Sequence, residues 1–221
     1  MNSKFIAVDG LDGSGKTTCI KFLKEYLESK GKHVHVTKAI GSGFGGWGFR
    51  QILLSGEIRD QNVTNLLTVA CHVTAINEIN SLRKNSDDTG KEVVVIHDRY
   101  LASYWAYNYL NPMLDNNEDI KNQSLMLYNS FLNINEVNKL PDLYLYIDID
   151  PNVAKERIDQ REEAKVYSDL KSIEYFEKLK KSFDDFFETN LIKRTIVDNN
   201  TEKENMFNQI KLIADKLLTN D

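Results

Sequence analysis

Short apolar runs alternate along the chain with longer segments in which apolar residues recur every three or four positions. The runs KFIAV (4–8), HVHVT (33–37), EVVVIH (92–97), LYLYIDI (143–149) and RTIVD (194–198) predict strands. The VVVI in the third is continuously apolar, the pattern of a strand covered on both faces. Residues 62–83 set Leu66, Val69, Ala70, Val73, Ile76 and Ile79 in one stripe at helical spacing; residues 172–190 do the same with Ile173, Phe176, Leu179, Phe183 and Phe186. Strand–helix alternation predicts an α/β fold on a parallel sheet. No internal repeat, low-complexity run or linker interrupts the 221 residues, so one domain is expected over 1–221. Pro112 and Pro151 follow Asn111 and Asp150 and mark element boundaries.

Composition adds limits. Hydrophobic residues are 41% of the chain, enough for a sizeable core, and the net charge of −5 offers no broad attraction for nucleic acid or membranes. Cys19 and Cys71 lie far apart with no CxxC pair, which predicts buried reduced thiols rather than a zinc site. The opening MNSKFIAVDG has too short an apolar run for a signal peptide, and no window approaches the roughly 18 apolar residues of a membrane span. A soluble cytoplasmic protein is expected.

The first strand leads into GLDGSGKT (10–17), which fits the phosphate-loop pattern G-x-x-x-x-G-K-S/T, and an amphipathic segment with Ile20, Leu23 and Leu27 follows. Gly10, Gly13 and Gly15 let the chain turn its N–H groups inward around phosphate oxygens, with Asp12, Ser14 and Thr18 in the same turn. The helix N-terminus adds its dipole. Lys16 is placed to reach the β- and γ-phosphates and the Thr17 hydroxyl to ligate Mg²⁺. A nucleoside triphosphate and Mg²⁺ are therefore the expected ligands.

Asp98 and Arg99 directly follow the third strand, and ligands of an open parallel sheet bind beyond the carboxyl ends of its strands. A carboxylate there can organise Mg²⁺, and an arginine can neutralise a transferring phosphoryl group. A GTPase should carry N-K-x-D. NKLPD (138–142) has the wrong spacing, and the D-x-x-G match DDTG (87–90) precedes a strand rather than following one. A motor or transport ATPase would be larger. A small kinase closing over two nucleotides fits best; a deoxynucleoside kinase acting on a 5′-hydroxyl and a GTPase-like regulator are the alternatives.

FIAVDGLDGSGKTT, DRYLASYWAY and PDLYLYIDIDPNVAKERIDQR resemble thymidylate kinase, a family of nucleoside monophosphate kinases, and the resemblance runs in order through nearly the whole chain. It implies phosphoryl transfer from ATP to a deoxynucleoside monophosphate, usually dTMP, with Mg²⁺, a five-stranded parallel sheet, a short lid near 158–170 and a homodimer. Lys16, Thr17, Asp98 and Arg99 match the family's motifs. Asp12 matches an acid associated with the acceptor sugar and the metal, Tyr107 an aromatic beside the deoxyribose, and Arg50 an arginine on the acceptor phosphate. VDNNTEKE (197–204) falls on the loop that holds the donor adenine.

The chain also departs from the family. Thr68 and His72 stand where a base-stacking phenylalanine and a base-bonding arginine are usual. A neutral imidazole cannot offer an arginine's fork, and Thr68 cannot stack. Tyr104 stands near the base and could supply an aromatic face; alternatively His72 is a packed helix residue. Arg157 and Arg161, four apart on one helical face, are the lid's arginines, with Arg161 expected to carry the catalytic charge. Lys165 lies beyond them, Val166 and Tyr167 replace the usual Asp-Arg pair, and Asp169 retains the following acid. Gly41, Gly43 and Gly46 match G-x-G-x-x-G, yet they follow the second strand. Lys38 there replaces the arginine opening the family's Arg-Glu-Pro-Gly turn, so KAIGSGFGGWGFR (38–50) reads as an acceptor-side loop.

Overall fold

The structure, a computed structural model, describes residues 3–58, 60–111, 117–133, 140–161 and 171–219. The strands β1 (Ser3–Gly10), β2 (His33–Lys38), β3 (Val93–Asp98), β4 (Leu143–Asp148) and β5 (Thr195–Asp198) stand where the apolar runs place them. They form one parallel sheet of order β2-β3-β1-β4-β5. Strand β1 sits centrally, with Val8 opposite Asp98 of β3 and Gly10 opposite Ile147 of β4. The carboxyl ends of all three therefore open into one crevice beside the switch in strand order.

Helices cover both faces, which is why the strands are apolar on both sides. On one face, α1 (Lys16–Ser29) and α8 (Lys203–Thr219) bring Leu23, Leu27, Met206 and Ile210 against Ile6, Val8, Ile96 and Ile147. The other face carries α3 (Gln61–Thr89), α4, α5 (Glu118–Leu132) and α7 (Ile173–Thr189). Helix α4 begins at Leu101–Tyr104 and continues as a π-turn over Trp105–Tyr109, where the Leu110 N–H donates to Trp105 O at 2.8 Å. The α7 stripe packs as predicted, with Phe176, Leu179, Phe183 and Phe186 buried. Two shorter helices, α2 (Gly46–Leu54) and α6 (Pro151–Asp159), stand after β2 and β4.

The α3 stripe packs only in part as the apolar spacing predicts. Leu66 is 55% exposed, and the buried face of the first turns is Asn65, Thr68, Cys71, His72 and Ala75. There the helix turns polar side chains inward, because this stretch faces α5 and the crevice. Val69 and Val73 are partly buried against the core, and at Ile76 and Ile79 the apolar edge is fully buried. Its C-terminus is Gly90, at φ 67°, so DDTG is a helix end and not a switch loop. Cys19 and Cys71 are buried free thiols. No described helix is long and apolar enough to cross a membrane.

The glycine-rich loop after β2 explains its own composition. Gly43, at φ 75°, runs so close to α3 that a Cβ would lie 2.3 Å from Thr74 O, and its N–H donates to Glu78 Oε2 at 2.7 Å. The glycine serves helix–loop contact. Gly43→Ala should destabilise the protein by about 2 kcal/mol or more, read as a lower urea midpoint at unchanged m-value, because backbone must move on both sides. An unchanged midpoint would contradict that contact.

Candidate active site

The loop after β1 crosses directly beneath α6: at Gly13, φ 81°, a Cβ would stand 2.4 Å from Ala154 O. Gly15 precedes α1 with no side-chain cap, so the helix's first amides stay available to an anion. Lys16 lies back in the loop, its Nζ donating to Gly10 O at 2.9 Å and Leu11 O at 2.6 Å. Burial lowers its ammonium to about 8, with the Arg99 charge acting the same way and Asp12, Asp98 and Asp9 opposing.

Arg99 adopts φ 69°, a left-handed conformation that costs a non-glycine residue about 1–2 kcal/mol. The turn holds it there: its N–H donates to Val8 O at 2.9 Å, and the next N–H, of Tyr100, donates to Asp9 Oδ2 at 3.0 Å. Its guanidinium pairs with Asp12 Oδ1 and lies 5.2 Å from the Tyr107 ring centre, while the Tyr107 hydroxyl donates to Asp12 Oδ2 at 2.9 Å. Burial favours a neutral Asp12, but the Arg99 and Lys16 charges together with these hydrogen bonds hold its carboxyl down at about 2. Asp98 has Oδ1 sealed and without a partner among the described residues. Thr17 is exposed at the first turn of α1.

A cavity of about 1670 Å³ gathers these groups. Asp12, Gly13, Gly15, Lys16, Thr17, Thr18, Asp98 and Arg99 line it; Gly10 and Ser14 do not, Ser14 being buried beneath the loop. Lys38, Arg50, Thr68, His72, Tyr104 and Tyr107 line it as well, as do Arg157 and Arg161. Arg161 is not on the helix that carries Arg157, as its spacing suggested. Helix α6 ends at Asp159 under the Gln160 cap, and the Arg161 N–H closes a tighter turn onto Ile158 O at 3.2 Å. Lys165, Val166, Tyr167 and Asp169 lie outside the described residues.

Thr68, His72 and Tyr104 bring no charge to the pocket. Thr68 donates back to Thr64 O at 2.8 Å. His72 is buried with Nδ1 unpartnered among the described residues, and burial lowers its imidazole to about 3, with His97 acting the same way. Tyr104 stacks on Tyr128 at 5.7 Å and meets His72 edge-on at 5.8 Å, so it belongs as much to the core as to the cavity.

The thymidylate kinase family model matches residues 8–210. The chain belongs to the thymidylate kinase family. It is thus a nucleoside monophosphate kinase, a phosphoryl-transfer enzyme. It is 28% identical to thymidylate kinase of Mycoplasma capricolum over 98% of this chain and 97% of the relative. It is 29% identical to that of Thermosipho africanus, over 97% and 98%. Thymidylate kinase of Thermoanaerobacter sp. strain X514 is 33% identical over 73% of each chain. The crystal structure of thymidylate kinase from Ehrlichia chaffeensis shares the fold, with TM-score 0.65 and 22% identity over 98% of each chain.

The VDNNTEKE segment reaches the cavity through Asn199 and Lys203, though the contacts that Asn199 makes could not be read from sequence. Asn199, after β5, donates from Nδ2 to Ser14 O at 2.7 Å, while Arg157 Nη2 donates to Asn199 O at 3.1 Å. It ties the phosphate loop to the neighbourhood of Lys203 and Met206, which also line the cavity. Asn108 and Gln61 line the pocket beside His72. Asn108 is held by Asn65 across 43 residues of sequence, a contact that no local pattern announces.

Two buried imidazoles give the fold a pH dependence. His97 accepts or donates at Nδ1 with Thr37 Oγ1, 2.8 Å away, while Nε2 has no partner, and burial lowers it to about 3. The folded state keeps His72 and His97 neutral, whereas the unfolded chain protonates them below about pH 6.5. Their contribution is full above pH 6.5 and is lost as pH falls. Urea unfolding between pH 6.5 and 5 should show stability falling by about 1.4 kcal/mol per pH unit for each histidine, and His97→Gln should halve that slope. An unchanged slope in the variant would refute the assignment.

Proposed function

We propose that the protein transfers the terminal phosphoryl group of Mg-ATP to a deoxynucleoside monophosphate, with dTMP the first candidate. The observation that carries this reading is that one cavity holds the phosphate loop, the Asp98–Arg99 turn and the basic residues Lys38 and Arg50. An oxygen of the acceptor monophosphate attacks the γ-phosphorus, the bond to the β–γ bridging oxygen breaks, and ADP leaves. That attacking oxygen carries no proton near neutral pH, so no general base is required. Arg50 and Lys38 neutralise the acceptor phosphate, Lys16 follows the β- and γ-phosphates, and Arg99 and Arg161 offset charge on the transferring group. The uncapped start of α1 cradles the donor phosphates. Arg157, Asn199 and Lys203 flank the donor base.

The residues fit a magnesium ion: Asp98 has a sealed, unpartnered oxygen, and Thr17 stands exposed in the same cavity. Asp98 and Thr17 would hold Mg²⁺ together with the nucleotide phosphates, and the ion would supply charge neutralisation on the phosphoryl oxygens. Asp12 orients Arg99 and, with Tyr107, borders the acceptor sugar. Arg157 and Arg161, which line the cavity, bring positive charge to the donor phosphates. The family likeness and the exposed Val63 and Leu66 on α3 support a homodimer.

Incubation with Mg-ATP and a panel of nucleosides and monophosphates (dTMP, dUMP, dCMP, dGMP and modified pyrimidine nucleotides) should yield ADP only with monophosphates. Turnover of nucleosides alone would instead establish a deoxynucleoside kinase. Arg161→Ala should lower kcat by about several hundred-fold, in the range of a lost transition-state charge; a loss below about tenfold would remove Arg161 from the catalytic role. Amide hydrogen exchange in residues 39–46 should slow when the acceptor binds, and equal protection with and without it would displace the loop from the acceptor site.

A further inference from the structure

A buried polar network behind the acceptor pocket fixes the direction of one amide that faces the acceptor. Asn65, on the first turns of α3, is fully buried, and Ser124 of α5 is equally sealed. The Ser124 hydroxyl donates its only proton to Ile120 O at 2.9 Å, so towards Asn65 it can only accept. Asn65 must therefore turn its NH₂ to Ser124, and Nδ2 lies 2.5 Å from Ser124 Oγ. This leaves Asn65 Oδ1 facing the pocket side, where it accepts from Gln61 Nε2 and Asn108 Nδ2, both at 2.9 Å. Each of those amides has then committed its NH₂ inward. Asn108 lines the cavity, and with Nδ2 turned to Asn65 its Oδ1 meets no donor among the described residues.

We infer that Asn65 is a positioning residue that makes Asn108 a hydrogen-bond acceptor towards the acceptor base, so the enzyme selects bases whose central ring nitrogen carries a proton. Thymine and uracil at N3 and guanine at N1 are such lactam bases; cytosine at N3 and adenine at N1 present a lone pair instead. An amide oxygen facing a lone pair leaves two buried acceptors opposed, and a site built around such a bond discriminates far more strongly than one built on shape. A reversed Asn108 amide would prefer the other class. Reversal requires Asn65 to turn as well, and the Ser124–Ile120 bond opposes that. The α4 π-turn presents Asn108 next to Tyr107, which binds Asp12, so the amide and the sugar-side tyrosine are placed by the same turn.

This inference rests on the monophosphate kinase reading, and the test separates the two. With Mg-ATP, kcat and KM are measured for dTMP, dUMP, dGMP, dCMP and dAMP in the wild type, Asn65→Leu, Asn65→Asp and Ser124→Ala. The wild type should favour its best lactam nucleotide over dCMP and dAMP by at least about a hundredfold in kcat/KM. Asn65→Leu should cut that ratio at least tenfold, chiefly by raising KM for the lactam substrate with kcat little changed. Asn65→Asp keeps an acceptor facing Gln61 and Asn108, because a carboxylate draws the Ser124 proton more strongly than Ile120 O does, and should leave the ratio within about threefold of the wild type. Ser124→Ala touches no cavity-lining group and removes only the anchor, so it tests the same point if the leucine variant does not fold; it should also erode the ratio. A wild-type preference for dCMP or dAMP would overturn the inference, as would a ratio unmoved in both Asn65→Leu and Ser124→Ala. Absence of turnover with every monophosphate would overturn the kinase reading itself.

Discussion

The carboxylate of Asp9 is the junction on which the rest of the site depends. It lies fully buried near the end of β1 and receives the Tyr100 N–H at 3.0 Å, the Tyr144 hydroxyl at 2.5 Å and the Ser103 hydroxyl. These donors come from the turn after β3, from β4 and from α4, so one side chain fastens three segments to the central strand. Burial raises its carboxyl above the ordinary value, and the three hydrogen bonds work against that rise. Hydrogen bonds to a charged group are stronger than neutral ones, and breaking one here would leave a buried group unmatched. That cost holds the post-β3 turn in place and keeps Arg99 in its left-handed conformation. Only from there does its guanidinium reach Asp12, three residues beyond Asp9 on the same loop.

Two neighbouring acids thus divide their work. Asp9 is spent on structure, with its hydrogen-bonding capacity committed internally. Asp12 is partly exposed, paired with Arg99 and held ionised near its lower limit, so it remains an anion across all ordinary pH. An arginine oriented by a permanent anion is pre-set before any phosphate arrives, and less reorganisation is then required when charge develops on the transferring group.

Local pattern was sufficient for much of this. The five strands could be read because a strand covered on both faces leaves an unbroken apolar run, and the phosphate loop because its glycines, Lys16 and Thr17 are contiguous. The Asp98–Arg99 pair was legible because its position at a strand end has meaning in a parallel sheet. The failures share a different cause. Leu66 was placed on the buried stripe by its hydrophobicity, yet the local partner of α3 is a polar network, and the helix rotates Asn65 inward instead. Arg161 was placed on the face of Arg157 by periodicity, but the helix stops before it. Asn65, Asn108, Ser124 and Asn199 act across 43 to 185 residues of sequence separation, where spacing carries no signal.

The polar pocket that results separates two kinds of recognition. The cavity draws part of its positive charge from Lys16, Arg99, Arg50 and Lys38, the residues proposed to meet the phosphates. The side chains gathered around His72 carry none: the imidazole is held neutral by burial, and Thr68, Tyr104, Asn108 and Gln61 are uncharged. A cation beside the base would attract the carbonyl oxygens of thymine, uracil, cytosine and guanine alike and would discriminate weakly among them. Neutral donors and acceptors with fixed directions discriminate by penalty, because a mismatched base leaves polar atoms buried without partners. The energy for holding the substrate then comes largely from its phosphate, and the energy for refusing the wrong one comes from the base. This division lets a pocket lacking the family's usual arginine and phenylalanine still be selective, provided that its amides cannot turn.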